Sequence, residues 1–309
     1  MDFELSEEQN AIFEMAHAFG QEKIAPFALE WEKQGTIPKE LWREAAELGL
    51  GGIYVSEEYG GSALSRMDGI LVFEALSMAC PSVSAFLSIH NMVGGLIDQF
   101  GDDRAKQKWL PQLTTMEKIF SYCLTEPGSG SDAAALRTKA NKTDVGYVLN
   151  GTKAFISGGG YSDAYLTMCR TGEDGPKGIS TIIIEDGTKG LSFGAPEDKM
   201  GWRAQPTAQV QFDDCHVPLE NLIGNEGEGF KYAMAGLDGG RLSISACALG
   251  GAQMTLDASL EYMSERKAFG QSLDQFQALQ FMLADMEIEL QAARTFLRQA
   301  AWKYDNKAN

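Results

Sequence analysis

The stretch Tyr122-Cys123-Leu124-Thr125-Glu126-Pro127-Gly128-Ser129-Gly130-Ser131-Asp132 decides how this chain reads. A β-prone run from Ile119 to Leu124 stops at a proline and opens into a turn of glycines, hydroxyls and acid. Glycine permits unusual φ angles and close backbone approach, and Ser or Thr hydroxyls can donate to the polar edge of a ligand. Such a loop directly after a strand points to a heteroaromatic or phosphate-bearing cofactor lying against main chain. The competing reading is an ordinary polar turn.

Gly128-x-Gly130-x-x-Ala133 also matches the relaxed dinucleotide fingerprint, which normally follows a strand and opens a helix. Here Ala133 to Leu136 gives way to Arg137-Thr138 and a turn at Asn141 to Asp144, so the helix is missing. Tyr147 to Asn150 ends without the acid expected on a ribose, and Pro127 and Asp132 suit a pyrophosphate turn poorly. The match to the Rossmann fingerprint is therefore a weak one.

A length of 309 residues suffices for one large domain or two to three modest ones. A net charge of −17 argues against a nucleic-acid or anionic-membrane binder, while leaving room for a phosphorylated small ligand met by a few local Arg or Lys residues. Cys80, Cys123, Cys169, Cys215 and Cys247 are scattered, odd in number and form no CxxC. With only His17, His90 and His216 beside them, they read as buried free thiols of a reducing compartment rather than zinc ligands. No long apolar run or basic-then-apolar leader is present, so neither a membrane span nor a signal peptide is expected.

Three zones follow one another, with boundaries expected at 1–117, 118–225 and 226–309. The first is helical. Ser6-x-x-Gln9 can cap a helix with Ile12, Met15, Ala16 and Phe19 inward, ending before Pro26. Pro38 suits a first helical position ahead of the stripe Leu41, Trp42, Ala45 and Leu48, which Gly49 closes. Further helices are expected over 67–78, 83–100 and 103–113, with His90 and Asn91 serving the core or a cap. The second zone carries short β-prone runs at 147–149, 165–168, 179–184 and 210–212, separated by turns, which implies an antiparallel barrel or sandwich. The third is helical again: one helix from Phe230 to about Lys267, interrupted by Gly239-Gly240 and Gly250-Gly251, and another from Gln275 to about Asn306. Leu279, Met282, Leu283, Met286, Leu290, Ala293 and Phe296 form the inward stripe of that last helix. Two helices make half of a bundle, so their apolar faces need partners from further chain or neighbouring subunits.

Six motifs in this order resemble the acyl-CoA dehydrogenase family over Leu5 to Asp305. They are the loop at 122–132, Asn150-Gly151-x-Lys153-x-Phe155-Ile156-Ser157, Val217-Pro218-x-x-Asn221-x-Ile223-Gly224, Gly224-x-x-Gly227-x-Gly229-Phe230, Arg266-Lys267-x-Phe269-Gly270 and Phe281 to Met286. Met200-Gly201-Trp202 with Gln205-Pro206-Thr207, and Leu237 to Arg241, look most like the family's isobutyryl-CoA branch. The fold class implied is α+β: an N-terminal helical bundle, a middle antiparallel β-barrel or sandwich, and a C-terminal helical bundle.

The resemblance also implies a chemistry and its residues. An acyl-CoA thioester loses its α proton to a carboxylate and its β hydrogen as hydride to flavin N5, with FAD as cofactor. Tyr122 to Ser131 would lie along the flavin, with Leu124 and Gly130 in that lining. Thr125 would bond the pyrimidine edge, and Ser131 would touch the CoA side. Phe155 would flank the ring where many members have Trp, Ile156 beside it, and Ser157 would donate near N5 where many have Thr. Arg266, with Phe269, Phe276 and Gln277, fits the group reaching the FAD pyrophosphate of a neighbouring subunit. Asp238, Gly239, Gly240 and Arg241 match the acyl and pantetheine pocket, where a Cβ on the glycines would intrude on ligand.

The same resemblance implies an electron-transfer flavoprotein as electron acceptor, a homotetramer built as a dimer of dimers, and a bacterial cytoplasmic or mitochondrial matrix setting. Most members carry the catalytic Glu in a later part of the last bundle, and a minority at the position of Gly240. Glu126 reads as structural, so the base is expected beyond Asn309. A straight short-chain acyl-CoA dehydrogenase and a non-catalytic flavin-binding relative are the alternatives.

Overall fold

Ser6 and Gln9 form the anticipated capping box: Gln9 N donates to Ser6 Oγ at 3.1 Å, and Ser6 N donates to Gln9 Oε1 at 3.2 Å. The computed structural model describes residues 4–308. Its helical first part comprises α1 (Glu7–Phe19), α2 (Ala28–Gln34), α3 (Lys39–Glu47), α4 (Arg66–Ala79), α5 (Pro81–Phe100) and α6 (Asp103–Thr114). Strands β1 (Phe120–Cys123), β2 (Lys139–Lys142), β3 (Gly146–Ser157), β4 (Ala164–Arg170), β5 (Ile179–Glu185), β6 (Leu191–Phe193), β7 (Thr207–Pro218) and β8 (Leu222–Ile223) follow. Helix α7 (Gly229–Glu265), a small hairpin of β9 (Lys267–Ala268) and β10 (Gln271–Ser272), and α8 (Gln277–Asp305) complete the order. The helix–sheet–helix expectation holds.

The chain divides into two compact units, residues 30–64 with 86–240, and residues 1–29 with 65–85 and 241–309. In the first, the strands run β6-β7-β3-β2-β4-β5-β8, with β1 also paired to β4. Most pairings are antiparallel, but β1 and β2 each run parallel to β4. The parallel pair starts where Ile119 O accepts from Asp163 N and Ala164 N, so both strands leave that point in the same direction. Every residue of β4 is buried, because its two faces feed different cores. Ala164, Leu166 and Met168 pack with Leu96, Ile97, Trp109 and Leu113 of α5 and α6. Tyr165 and Cys169 turn the other way, into a core with Tyr147, Leu149, Val210 and Phe212. Each such large buried side chain contributes about 1.5–3 kcal/mol of hydrophobic stabilisation, and this double burial makes β4 a rigid platform beside β1.

His90 and Asn91 hold this unit together, as the sequence predicts. His90 Nδ1 accepts from Phe120 N at 3.1 Å, so the ring's remaining hydrogen sits on Nε2 and meets Leu113 O at 3.0 Å. Asn91 Oδ1 accepts from Ile53 N at 2.7 Å, while its amide donates to Leu50 O and Leu87 O. All five cysteines are buried, and none is in a disulfide among the described residues.

In the second unit, α1 and α8 each pack on α4. Arg294 of α8 donates from Nε to Glu74 of α4 at 2.7 Å, both largely buried. The expected stripe on α8 is displaced. Leu290, Leu297 and Ala301, on the same face as Arg294, are its buried residues, whereas Met282, Met286 and Phe296 are exposed. Helix α7 is not interrupted at either glycine pair. A Cβ at Gly250 would stand 2.0 Å from the main-chain oxygen of Glu74, so this glycine lets α7 and α4 touch backbone to backbone. Three smaller expectations also shift. Pro38 is the N-cap rather than the first helical residue, Leu48 is exposed, and Asn141-Lys142 belongs to a strand instead of a turn. Helix α2 had no apolar stripe to announce it; Trp31 is its only buried residue.

Candidate functional site

Glu126 shapes the loop after β1. Its backbone pairs with Ser129 in both directions, Glu126 N to Ser129 O at 2.9 Å and Ser129 N to Glu126 O at 3.1 Å, which closes a turn over Pro127-Gly128. Its carboxylate accepts from Arg137 N at 2.6 Å, Thr138 N at 2.9 Å and Lys153 Nζ at 2.8 Å. Lys153 is fully buried and donates also to Leu124 O at 2.9 Å. Burial acts against the Glu126 charge, but the Lys153 ammonium and these donors outweigh it and hold the carboxyl below the usual range. Burial lowers Lys153 from its ordinary value, with Glu126 pulling back. Glu126 is a clasp, as anticipated, and Lys153 is its partner, which sequence reasoning missed. The signal was present: a lysine inside a strand whose neighbours Ala154 and Ile156 are apolar.

With Glu126 committed, other groups of the loop are left to meet a ligand. Thr125 is half-buried, its carbonyl accepts from Ala154 N at 2.8 Å, and its hydroxyl has no hydrogen bond among the described residues. Gly130 and Ser131 are exposed, and a Cβ built on Gly128 or Gly130 would find open space. These two glycines are therefore not demanded by packing. Leu124 is buried in the helix–sheet core.

The end of β3 runs beside this loop. Register shifts between Leu149 and Gly151 and between Lys153 and Ile156 interrupt its pairing with β7. Phe155 sits in the second irregularity at φ +57° and is 67% exposed, although Ile156 next to it is buried. A bulge re-aims a side chain in this way. Ser157 completes the strand: its carbonyl accepts from Ser121 Oγ, and its hydroxyl accepts from Gln205 Nε2. The Ser157 hydroxyl donates no hydrogen bond among the described residues. Gln205 is 5% exposed, and its Oε1 is buried without a partner.

Tyr122 turns toward α7, its hydroxyl donating to Ala233 O at 3.2 Å, and burial keeps the phenol protonated. Gly240 lies two helical turns beyond Ala233 on that same face. A Cβ on Gly240 would first meet Met92 Sδ at 3.2 Å, so close packing on α5 supplies one reason for this glycine besides the ligand expected there. Asp238 is exposed and Gly239 buried.

The second unit holds the remaining expected residues. Arg241 is exposed. Arg266 is also exposed, at the base of the β9–β10 hairpin, where its carbonyl accepts from Leu273 N at 2.9 Å. Its guanidinium has no hydrogen bond or ion pair among the described residues. Phe269 stands 99% exposed at φ +52°, edge-on to Phe276 with ring centroids 6.4 Å apart. Gln277 is exposed at the start of α8.

Similarity to known proteins extends over nearly the whole chain. The acyl-CoA dehydrogenase N-terminal domain matches residues 6–117, the middle domain 121–215 and the C-terminal domain 227–309. A mitochondrial isobutyryl-CoA dehydrogenase of Dictyostelium discoideum is 55% identical over 98% of this chain and 73% of that protein. The butyryl-CoA dehydrogenase structure from Megasphaera elsdenii is 40% identical with a TM-score of 0.95, over 100% of this chain and 82% of that one. The FAD complex of PigA, at 32% identity, has a TM-score of 0.94 with the same coverage. The helix–sheet–helix order and these matches thus have one common explanation: the chain belongs to the acyl-CoA dehydrogenase family.

Proposed function

We propose that this protein binds FAD and dehydrogenates a short branched acyl-CoA of the isobutyryl type across its α and β carbons. The residues fit a flavin. The Thr125 and Ser157 hydroxyls are both free to donate, Gly128 and Gly130 leave the approach open, and Phe155 is held outward beside them. The observation that carries the reading is this set of unspent donors at the mouth of a rigid strand pair, since polar groups so placed are ordinarily satisfied. Bound FAD supplies the acceptor for the β hydride.

The protein's own residues then divide the work. Thr125 would donate to the polar edge of a bound ring system, and Ser157 would offer its hydroxyl hydrogen to that ring from the end of β3. Phe155 covers one face and keeps water from it. The turn at Gly130 and Ser131, with Asp238, Gly239 and Gly240, receives the thioester and pantetheine portion. Holding the Cα–Cβ bond in line with both acceptors contributes several kcal/mol, by replacing random encounter with fixed geometry. The α proton passes to a carboxylate that is neither Glu126, which the clasp consumes, nor residue 240, which is glycine.

Arg266 serves phosphate oxygens of a cofactor held by a second copy, because an arginine fork matches that geometry and its guanidinium has no partner among the described residues. The exposed Met282, Met286 and Phe296 of α8 suit burial in a homotetramer. An electron-transferring flavoprotein takes the electrons onward. Among the described residues no helix is long and apolar enough to cross a membrane.

Initial rates on isobutyryl-CoA and butyryl-CoA, measured with an electron-accepting dye, test the substrate. A higher kcat/KM for isobutyryl-CoA is expected, and a clear preference for butyryl-CoA would move the protein to the straight-chain reading.

A further inference from the structure

Ser157 can give its hydroxyl hydrogen to only one acceptor, and what fixes its direction lies outside β3. Gln205 Nε2 donates to Ser157 Oγ, which occupies a lone pair of that oxygen and leaves the O–H free to point elsewhere. Gln205 itself is held from both ends. Lys199 Nζ donates to Gln205 O, to Trp202 O at 2.6 Å and to Thr207 Oγ1 at 3.0 Å. Gly158 N donates to Pro206 O at 2.7 Å, tying the next residue to the end of β3. Glu32 accepts from Arg203 N at 2.7 Å and Ala204 N at 3.2 Å, so the segment ahead of Gln205 is fixed as well. Lys199, Glu32 and the ion pair of Arg203 with Asp198 are charged groups on this segment.

The geometry points to Gln205 as a positioning residue: by donating to Ser157 it commits the serine hydroxyl as a donor toward the flavin. This inference rests on the reading that Ser157 faces the flavin, and extends it to a residue that touches neither flavin nor substrate. Gln205 Oε1 is buried without a partner, so the bond to Ser157 is the one its side chain makes among the described residues.

The test uses the FAD-loaded protein with Gln205→Glu, Gln205→Leu, Ser157→Ala, Ser157→Thr, and the double variant Ser157→Ala with Gln205→Glu. Three readouts are taken from pH 5 to 9: the FAD dissociation constant, the visible flavin band and far-UV circular dichroism. An ionised carboxylate in place of the Gln205 amide only accepts, so it draws the Ser157 hydrogen away from the flavin. A protonated carboxyl donates, as the amide does.

Gln205→Glu is therefore expected to weaken FAD binding about threefold to tenfold at high pH, and to recover at low pH while the parent stays flat. Gln205→Leu loses a smaller, pH-independent amount and serves if Gln205→Glu folds poorly. Ser157→Thr keeps the hydroxyl and binds FAD as the parent does. The double variant is no worse than Ser157→Ala alone. If Ser157→Ala binds FAD like the parent, the flavin reading at Ser157 itself is wrong. If Ser157→Ala weakens binding but Gln205→Glu is pH-flat, or adds fully to it, only the role of Gln205 is overturned.

Discussion

Lys153 Nζ lies 2.8 Å from Glu126 Oε1, with the lysine side chain wholly buried and the glutamate 7% exposed. The pair joins the middle of β3 to the loop after β1, so it sets where Thr125 and Ser157 stand relative to each other. Replacing one member strands a buried charge. Lys153→Met or Glu126→Gln is therefore expected to cost about 3–5 kcal/mol in urea unfolding, and removing both charges together to cost less than either alone. If Glu126→Gln left stability intact while abolishing turnover, the glutamate would be the catalytic base instead.

Acid acts on this protein through two buried groups. Burial pushes His90 down from 6.5 to about 4, against a partly opposing bond to the Leu113 carbonyl. The unfolded chain therefore takes up a proton that the folded one refuses as pH falls below 6.5, and His90 withdraws of order 3 kcal/mol by pH 4. Glu126 has its folded pKa lowered, so its contribution is present above the ordinary carboxylate range and is lost as pH drops through that depressed value. Unfolding free energies from pH 7 to 4 should show this slope. The His90 ring, followed by NMR, should stay neutral at pH 5; a midpoint near 6.5 would contradict the buried, singly protonated ring.

Two sets of glycines should respond oppositely to alanine. Gly250→Ala drives a methyl group against the Glu74 main chain, which cannot swing away, and should destabilise by about 1–3 kcal/mol or more. Gly128→Ala and Gly130→Ala meet nothing, so thermal unfolding of the flavin-free protein should barely change. The same two variants should weaken FAD binding, because on the proposed reading the flavin would occupy the open space beside them. Unchanged affinity in both would remove the loop from the site.

The helix–sheet–helix order and the helix caps were legible because they are local: Ser6 and Gln9 are three residues apart, and apolar periodicity marks α4 to α6. Glu126 could be set aside as structural from its loop alone. What escaped was long-range. Lys153 and Gln205 meet partners 27 and 48 residues away, across pairings that no local pattern encodes. The α8 stripe misled for a related reason, since spacing gives an apolar face but not which face meets α4. The parallel entry of β1 and β2 beside β4 likewise depends on a closure beyond any short window.

Titrating FAD into deflavinated protein, followed by absorbance near 450 nm and by quenching of flavin fluorescence, tests the central claim most directly. Saturable uptake giving a yellow protein is expected, with clear weakening in Thr125→Val, which keeps shape and removes the hydroxyl. A folded protein that stays colourless and takes up no FAD would contradict the account.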